Sequence, residues 1–403
     1  MILKKDKKPR IALVHDYLTC FGGAERVLMS LCKLYPEAPI YTLLYDEKKM
    51  KKYFPSAKIQ PSFLNKLPKF FKKRKKYLLP LLPTAAETFN LRDYDIVISS
   101  CSSFVKGIIT KPKTVHICYC HAPTRFLWDW RFNYLKENKI GKLKKLFIVP
   151  LLHYLRMWDR SAAERVDYFI ANSQNTADRI RKFYGRESKV IYPPAVICHS
   201  RESGNPDEIS SHIDFNNNIQ KRSEFHSGFC VKRGITNNYF LIVSRLSPYK
   251  KIDLAVQAFN KLELPLVIIG EGSDKKRLEK MADKNIKFLG FQPEEKLFGY
   301  YQNCQALIFP GEDDFGITIA EAMAAGKPVL AYRGGGALEI IKEGETGEFF
   351  DHPIPELLAY GVKRLRKNME NYDVEKIRLQ AEKFSEERFK KEIKELFING
   401  LIG

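Results

Sequence analysis

The sequence predicts an α/β protein of two domains, each built on a doubly wound parallel sheet. Short apolar runs bounded by charged or turn residues alternate with amphipathic helical segments along the chain, and such alternation is typical of parallel strands joined by helices. The 403 residues suffice for two domains of ordinary size, and a segment without periodicity separates the two halves. The expected units are a first domain over 1–195, an inserted disordered loop over 196–238, a second domain over 239–383, and a terminal helix over 384–403 that returns to the first domain.

Composition and charge narrow the class of protein. A hydrophobic content of 44% with 29% charged residues is ordinary for a globular protein. The net charge of +21 indicates an anionic partner, which is a membrane surface, a nucleic acid or a phosphorylated substrate. The eight cysteines are scattered without a pairing pattern, and the N-terminal stretch lacks the apolar core of a signal peptide. The longest apolar runs are shorter than a membrane-spanning helix. We therefore expect a reduced cytoplasmic protein.

The first half begins with a buried strand that leads into a glycine turn. Arg10–Asp16 is an apolar run bounded by charge, and Gly22 and Gly23 follow it at the start of an amphipathic helix. This arrangement places backbone N–H groups near a ligand phosphate in many α/β sheets, although adjacent glycines also make ordinary turns. Both interpretations stay open on this motif alone. Further strands are expected at Ile40–Leu44, Ile96–Ser100, Thr114–Cys120 and Tyr168–Ser173.

A strongly basic stretch, Lys66–Pro83, combines clustered lysines and arginine with phenylalanine, tyrosine and leucine. Most charge runs are simply solvated helix faces. Interleaved apolar residues favour an interfacial segment, whose cations lie on anionic lipid headgroups while its apolar side chains enter the bilayer surface. Nucleic acid is the alternative partner, but no recognisable nucleic-acid-binding module accompanies the charge. We therefore expect an anionic membrane surface as the partner of this stretch and no nucleic acid.

A polar and aromatic cluster follows the strand that ends near Cys120. His121 comes directly after this strand, and ligands of α/β proteins bind at the carboxyl ends of the strands. Arg125, Trp128 and Asp129 add a cation, a stacking surface and a carboxylate, which together suit a sugar or phosphate acceptor. A metal is not expected, because the histidines and cysteines lack the spacing of metal ligands.

The second half starts with the predicted strand Phe240–Leu246 and the helix Ile252–Leu262. Arg245 lies at the end of this strand, and Lys250 follows the next turn. The two cations are therefore expected side by side at the same end of the sheet. A diphosphate would satisfy both, since arginine contacts it as a fork and lysine as a point charge. A second strand, Pro265–Gly270, leads into another loop that contains Gly272.

The stretch Ala306–Ile341 predicts a strand, an acidic loop, a helix, a second strand and a glycine-rich loop. Its helix begins near Gly316 and is apolar all round except for Glu321, so it should be buried. A buried carboxylate normally has a partner, and the sequence leaves that partner unidentified. The helix N-terminus is a natural site for an anion. We infer a site for a phosphorylated polyhydroxy ligand that includes Asp313 and Glu321.

Five segments occur along the chain in a distinctive order and spacing. They are GGAERV at 22–27, YCHAP at 119–123, VSRLSPYKKIDLAVQAF at 243–259, IGEGSD at 269–274 and FGITIAEAMAAGKPV at 315–329. Together they resemble the family 4 retaining glycosyltransferases of the GT-B fold, in particular bacterial mannosyltransferase-like enzymes of surface polysaccharide and lipopolysaccharide synthesis. The resemblance covers nearly the whole chain except the insertion, and it implies two Rossmann-like domains that face a central cleft.

The resemblance implies a role for each matching position. Arg245 and Lys250 would neutralise the donor diphosphate and the charge of the leaving group, and His121 would lie near the reacting sugar. Glu321 would hold the ribose hydroxyls. The backbone around Phe315, Gly316 and Ile317 would face the transferred sugar and phosphate. Gly22 and Gly23 would lie close to the donor across the cleft, and Gly272 would be a further donor-binding position.

One position departs from the family pattern. The family carries two glutamates with seven residues between them, and this chain has Asp313 at the first position. Aspartate is one methylene shorter, so its carboxylate reaches less far towards the sugar hydroxyls, or towards a nucleophile position, than a glutamate would.

The expected activity is transfer of a hexose, with mannose favoured, from a nucleotide-sugar such as GDP-mannose or a UDP-sugar. The acceptor would be a lipid-linked or growing polysaccharide at the inner membrane face. The anomeric configuration would be retained, and no metal or other cofactor would be needed. Two alternatives remain open, a nucleotide-sugar epimerase of the same fold and a non-catalytic basic binding protein.

Overall fold

The computed structural model describes residues 9–68, 70, 77–137, 141–195 and 239–400. The inserted loop predicted over 196–238 and most of the basic cluster of Lys66–Pro83, including 72–76, lie outside the described residues. The described chain forms two α/β units, each with one parallel sheet. Secondary-structure elements are numbered below through the described residues.

The first unit contains a seven-stranded sheet in the order β3-β2-β1-β4-β5-β6-β7, and all its pairings are parallel. The order rises outward on both sides of β1, as in doubly wound sheets with a ligand crevice at the switch point. That point lies between β1 and β4. The strands are β1 (Ile11–Leu18), β2 (Ile40–Tyr45), β3 (Ile59–Pro61), β4 (Ile96–Cys101), β5 (Val115–Cys120), β6 (Tyr168–Ala171) and β7 (Ser188–Val190).

Helices cover both faces of this sheet, and two hydrophobic clusters lie between helices and strands. Such burial on both faces explains why the strands appear in the sequence as nearly continuous apolar runs. The helices are α1 (Gly23–Leu34), α2 (Glu47–Met50), α3 (Leu82–Glu87), α4 (Arg131–Glu137), α5 (Lys142–Glu164) and α6 (Gln174–Tyr184).

The second unit has a six-stranded parallel sheet in the order β10-β9-β8-β11-β12-β13. Its switch point lies between β8 and β11, which are the strands that lead into the two predicted binding loops. The strands are β8 (Phe240–Val243), β9 (Leu266–Ile269), β10 (Ile286–Gly290), β11 (Leu307–Phe309), β12 (Val329–Tyr332) and β13 (Gly347–Phe350).

The helices of the second unit surround one continuous core. The apolar helix predicted near Gly316 begins at Ile317, and all but its first two residues are buried. The helices are α7 (Ile252–Leu262), α8 (Lys275–Met281), α9 (Glu294–Asn303), α10 (Ile317–Ala324), α11 (Ala337–Ile340), α12 (Pro355–Lys367), α13 (Val374–Glu382) and α14 (Glu386–Gly400).

The last helix, α14, packs on the first unit. Phe389 and Ile393 belong to a core cluster of the first sheet. Ser30 Oγ on α1 donates a hydrogen bond of 2.9 Å to the Glu386 carboxylate, and Lys33 Nζ donates another of 2.9 Å. The described chain therefore passes from the first unit to the second and returns to the first unit at α14.

Candidate active site in the interdomain cleft

A cavity of about 790 Å³ lies between the carboxyl ends of the two sheets and is lined by both units. This is the location that the doubly wound topology predicts for a ligand. Ten of the eleven site residues proposed from the sequence line it. They are Gly22, Gly23, His121, Arg245, Lys250, Asp313, Phe315, Gly316, Ile317 and Glu321.

Gly272 is the exception among the proposed site residues. The preceding residues Gly270 and Glu271 line the cavity, whereas Gly272 does not. A Cβ atom at Gly272 would lie 2.0 Å from the Leu246 carbonyl oxygen. Glycine is therefore needed here so that two loops can pack closely, which is a structural role rather than direct contact with the cavity.

Arg245 extends into the cavity from a loop and not from a strand end. The sequence predicts a strand to Leu246, but β8 ends at Val243, and Arg245 is exposed to the cleft. Within the described ranges its guanidinium has no ion-pair partner and no side-chain hydrogen bond. An arginine without a counter-ion at a cavity wall is a ready contact for an anionic ligand.

Lys250 faces the same cavity and is paired with Asp313. It ends a short 3₁₀ turn, Pro248–Lys250, and its Nζ donates to the Asp313 carboxylate. Burial lowers the pKa of the Lys250 ammonium, but Asp313 and Tyr249 outweigh that effect and raise the pKa overall. Lys250 is therefore charged at neutral pH, and the shorter acid at position 313 still reaches it.

Glu321 has two protein partners that the sequence does not reveal. Arg26 on α1 forms an ion pair with Glu321 Oε1 from the other side of the cleft, and the Tyr301 hydroxyl donates a 2.8 Å hydrogen bond to Oε2. Arg26 Nη2 also lies 3.4 Å from Glu294 Oε1. The partner that the sequence left unidentified is therefore supplied by the protein itself, and Glu321 also lines the cavity.

The two units approach closely beside this ion pair. A Cβ atom at Gly23 would lie 2.8 Å from Ile317 Cδ1, so the glycine turn of the first unit contacts the first residue of α10. Gly316 precedes that helix with φ of 102°, a conformation that glycine adopts without strain. These glycines allow the backbone at the helix N-terminus to face the cavity.

Further interdomain contacts surround the cavity. Arg179 on α6 donates to Asp314, and Arg125 Nη1 lies 3.6 Å from the other oxygen of the same carboxylate. Burial raises the pKa of Asp314, although the two arginines oppose the shift. Glu339 accepts hydrogen bonds of 2.7 and 2.9 Å from the backbone N–H groups of Gln174 and Asn175 at the start of α6. In each of these contacts a carboxylate of the second unit pairs with, or accepts hydrogen bonds from, groups of the first unit.

His121 lines the cavity at the end of β5. Its Nε2 lies 2.8 Å from Ser100 Oγ, and its backbone carbonyl accepts a 2.9 Å hydrogen bond from Asn172 Nδ2. Burial, with a smaller contribution from the neighbouring His15, lowers the pKa of His121 to about 3. The imidazole is therefore neutral at physiological pH and can accept or donate a hydrogen bond but not carry a charge.

Of the polar and aromatic residues that follow His121, only some face the cavity, and the sequence does not show which ones. Arg125 lines the cavity and stacks over the Trp130 ring at 5.3 Å. Trp128, predicted as a stacking surface for ligand, instead donates a 2.8 Å hydrogen bond to buried Asp159 and stacks on Phe183. Asp129 pairs with Arg179 and is not part of the lining. The aromatic wall is formed by residues not singled out in the sequence, which are Phe21, Tyr53, Phe126, Trp130 and Tyr134.

Arg26 is a site residue that sequence reasoning missed despite a readable signal. It follows Gly23 by three positions at the start of α1, and residues three apart lie on the same face of a helix. A turn placed at the cleft therefore places Arg26 there as well. His15 could also have been singled out from the sequence, because it is a polar residue within the apolar run of β1.

No group of three or more histidine, cysteine or acidic side chains within the described ranges is arranged to hold a metal ion. Two carboxylates of the acidic loop have cationic side chains as partners, since Asp313 pairs with Lys250 and Asp314 pairs with Arg179.

Two family models match consecutive parts of the chain. The model described as Glycosyltransferase Family 4 matches residues 21–195, and the model described as Glycosyl transferases group 1 matches residues 231–384. The first match covers the unit that carries Gly22, Arg26 and His121, and the second covers the unit that carries Arg245 and Glu321. Together they include every residue of the cavity lining except Cys20.

Individual relatives are similar at modest identity. The alpha-1,3/1,6-mannosyltransferase ALG2 of Saccharomyces cerevisiae is 24% identical over 93% of this chain and 80% of that protein. An uncharacterized glycosyltransferase of Methanocaldococcus jannaschii is 30% identical, but the match spans only 33% of this chain and 39% of the relative.

The fold is shared with solved structures along almost the full length. The crystal structure of Anabaena HepE in complex with UDP and glucose superposes with a TM-score of 0.67 at 19% identity, and the match covers 97% of this chain and 100% of that one. Two parallel-sheet Rossmann-like units around a central cleft, together with both family matches, establish the GT-B architecture predicted from the sequence. The chain belongs to the family 4 glycosyltransferases.

Proposed function

We propose that this protein is a retaining mannosyltransferase that moves mannose from a nucleotide-sugar to a lipid-linked or growing polysaccharide acceptor at the cytoplasmic face of the membrane. GDP-mannose is the proposed donor, with a UDP-sugar as the alternative. Neither a metal nor another cofactor takes part in the proposed reaction. The observation that carries the proposal is the position of Arg245 in the cavity wall, where it has no counter-ion among the described residues and lies beside Lys250.

The two cations suit the diphosphate of such a donor. Arg245 can contact phosphate oxygens through two N–H groups, whereas Lys250 supplies a compact charge. As the bond between the sugar and the phosphate breaks, negative charge grows on the leaving nucleoside diphosphate. Fixed cations at that position stabilise the transition state more than the ground state. They provide the charge stabilisation that a metal supplies in other transferases.

Glu321 and the N-terminus of α10 suit the other parts of the donor. A carboxylate accepts hydrogen bonds from neighbouring ribose hydroxyls, and Glu321 lines the cavity. Phe315, Gly316 and Ile317 line it at the N-terminus of α10, which is the positive end of the helix dipole and suits an anion. Mannose as the sugar is supported by the similarity to a mannosyltransferase along most of the chain.

The first unit supplies a wall suited to a sugar acceptor. Phe126, Trp130 and Tyr134 line the cavity on that side, and aromatic faces pack against the apolar faces of sugar rings. The wall continues into α4, where Tyr134 faces the cavity and Phe132 is exposed to solvent. An acceptor that extends along this wall would leave the cavity beside α4 and α5.

The exposed face of α5 supports the membrane location. Leu143, Leu146 and Phe147 are 83%, 70% and 75% exposed, and they recur at helical spacing along one face. Exposed Lys144 and Lys145 lie between them. An apolar stripe flanked by cations is suited to the surface of an anionic bilayer. None of the described helices is long and apolar enough to cross one.

A panel of nucleotide-sugars tests the donor assignment directly. Purified protein is mixed with each compound, and the thermal midpoint is measured, because a ligand that binds only the folded state raises it. GDP-mannose is expected to give the largest shift, with a UDP-sugar as the next candidate. The compound that shifts the midpoint is then incubated with membrane lipid extract as acceptor, and the anomeric configuration of the product is determined by NMR.

The outcomes separate the proposal from its competitors. An α-linked mannosyl product from GDP-mannose, formed equally well in a chelator, supports it. Interconversion of the nucleotide-sugar without an acceptor would establish an epimerase instead. An absence of any midpoint shift with every nucleotide-sugar and nucleoside diphosphate would indicate a non-catalytic binding protein. An inverted product would overturn the retaining mechanism while leaving the donor assignment intact.

A further inference from the structure

We propose that Glu25, His15 and Ser100 form a buried hydrogen-bond chain that sets the tautomer of His121 at the cavity. These three are positioning residues, since only His121 faces the ligand space. The geometry of the chain stands on its own, whereas its consequence for catalysis rests on the proposed transferase function.

The chain is continuous and runs across three elements of the first unit. His15 Nε2 lies 3.4 Å from Glu25 Oε1, and His15 Nδ1 lies 3.1 Å from Ser100 Oγ. Ser100 Oγ in turn lies 2.8 Å from His121 Nε2. His15 on β1 and Ser100 on β4 are register partners in the parallel sheet, so the backbone fixes the central contact.

Burial makes the direction of these hydrogen bonds significant. His15 is 2% exposed, Glu25 is 8% exposed and Ser100 is fully buried. A buried donor without an acceptor costs about 1–3 kcal/mol, so each proton in the chain must face an acceptor. A chain of this kind therefore has few allowed arrangements.

The carboxylate determines which arrangement is adopted. An ionised Glu25 can only accept, so His15 Nε2 carries the proton that it donates. With His15 neutral, Nδ1 is then an acceptor, and the Ser100 hydroxyl donates to it. The Ser100 oxygen accepts from His121 Nε2–H. His121 is left with an unprotonated Nδ1, which receives no hydrogen bond from the described residues.

The consequence is a hydrogen-bond acceptor of fixed identity at the cavity. His121 Nδ1, with its lone pair, can accept a hydrogen bond from a hydroxyl group of a bound sugar but cannot donate one. Burial keeps the imidazole neutral, since the pKa of His121 is lowered to about 3. The hydrogen-bond chain thus restricts the His121 imidazole to one of its two tautomers, and this tautomer orients a polyhydroxy ligand.

A neighbouring pair provides a matched control. Ser99 precedes Ser100 on β4 and faces the opposite side of the sheet, where its Oγ lies 2.7 Å from His116 Nε2. His116 is fully buried and is not part of the cavity lining. Ser99→Ala therefore removes an equally buried serine–histidine hydrogen bond without touching the site.

The first test is spectroscopic and needs no substrate. Protein with ¹⁵N-labelled histidine is examined at about pH 8, where an ordinary histidine is neutral, and the His121 signals are assigned by their loss in His121→Gln. The wild type should show a protonated Nε2 and an unprotonated Nδ1. In Ser100→Ala the buried Nε2 faces a methyl group, so the proton should move to Nδ1. Glu25→Gln, whose amide can donate or accept, should give a mixture of tautomers.

The controls separate this role from general stabilisation. Ser99→Ala should leave the His121 signals unchanged, and Ser100→Thr, which keeps the hydroxyl, should restore them. An unchanged His121 tautomer in both Ser100→Ala and Glu25→Gln would overturn the proposal. Because Glu25→Gln and Ser100→Thr retain polar groups of nearly the same size, the test does not depend on the folding of Ser100→Ala.

Activity provides the second readout. With the donor identified above, Ser100→Ala should lose at least about tenfold in kcat/KM, as expected for one hydrogen bond to a reacting ligand, whereas Ser99→Ala should stay within about twofold. Expected tautomers together with no transfer from any nucleotide-sugar would refute the proposed function and leave the chain intact. Normal activity in Ser100→Ala with a shifted tautomer would refute the catalytic consequence alone.

Discussion

Arg26 of the first unit and Glu321 of the second form an ion pair across the cleft. Both side chains are largely buried, with 13% and 4% of their side-chain area exposed. The proposed function assigns this carboxylate to the donor ribose, so the same group would serve both domain contact and ligand binding. A ligand that reaches Glu321 must share it with Arg26 or displace that side chain.

A double-mutant cycle measures this contact. Arg26→Gln and Glu321→Gln should each destabilise the protein, because each breaks a largely buried ion pair, although Arg26 keeps Glu294 as a second contact. The double variant should lose less than the sum, with a coupling free energy of about 1–3 kcal/mol from urea unfolding followed by circular dichroism. The exposed pair Lys261–Glu356 is the control and should couple by less than about 0.5 kcal/mol. Additive losses at Arg26 and Glu321 would show that the two side chains do not interact.

Lys250 should contribute strongly to transfer. Lys250→Ala removes a cation from the proposed diphosphate site and leaves Asp313 without its partner. A charge-assisted hydrogen bond contributes about 1.5–3 kcal/mol, so kcat/KM should fall at least about tenfold. Lys261→Ala removes an exposed lysine far from the cavity lining and serves as the control. Near-wild-type transfer by Lys250→Ala would exclude the diphosphate role.

Variants of Asp313 test whether aspartate, the shorter acid, supports transfer as well as glutamate would at this position. The structure shows that it reaches Lys250, so its charge orients that ammonium even without the extra methylene. Asp313→Asn should therefore lower kcat at least about tenfold. Asp313→Glu, which keeps the charge, should stay within about threefold. Equal losses in both variants, measured by steady-state transfer, would mean that side-chain length matters more than charge.

Much of the fold was predictable from the sequence because most strands are buried on both faces. The helix Ile252–Leu262 has the bounds predicted for it, and every strand predicted from an apolar run is present. Two strands gave no such signal. Ile59–Pro61 is a short, mostly exposed edge strand, and Gly347–Phe350 contains Glu348, a buried carboxylate that pairs with Arg364 and accepts hydrogen bonds from Asn368 and Tyr372.

The site was predictable in its location but not in its pairings. Topology places Gly22, His121 and Arg245 in or near the loops that follow the carboxyl ends of strands, and this needs no three-dimensional information. The partnership of Arg26 with Glu321 depends on how the two units face each other, and no local pattern encodes it. The same holds for Trp128 and Trp130, which lie two residues apart although only Trp130 faces the cavity.

The apolar face of α5 should control membrane binding. Leu146→Glu combined with Phe147→Glu replaces two exposed apolar side chains by charges of the same sign as the lipid headgroups. Each apolar side chain contributes about 1 kcal/mol or more when it leaves water, so binding to vesicles rich in anionic lipid should weaken at least tenfold in a flotation assay. Donor binding should be unchanged.

The control lies on the other unit. Leu379 on α13 is 65% exposed, and Leu379→Glu adds a similar charge away from the proposed membrane face. Vesicle binding should be unaffected by this variant. If the α5 double variant floats with vesicles as well as the wild type does, the membrane surface lies elsewhere on the protein. A change from dimer to monomer in the α5 variant would identify a second copy of the chain as the partner of this face.

His116 should make the first unit less stable in acid. Burial, with a smaller contribution from the charge of Arg165, lowers the pKa of His116 to about 3, whereas an unfolded histidine takes up its proton near pH 6.5. Between these values the unfolded state binds the extra proton, so stability falls as the pH drops from about 6.5 towards 3, by up to about 1.4 kcal/mol per pH unit. Tryptophan fluorescence can follow this, since Trp128, Trp130 and Trp158 all lie in the first unit.

The variant His116→Gln isolates this contribution. Its amide can retain the hydrogen bond to Ser99 but does not titrate, so between pH 7 and pH 5 it should lose about 2 kcal/mol less unfolding free energy than the wild type. His153, which is exposed on α5, provides the control variant His153→Gln, whose pH dependence should follow the wild type. Parallel pH curves for the wild type and His116→Gln would show that His116 accepts its proton in the folded protein as readily as in the unfolded chain.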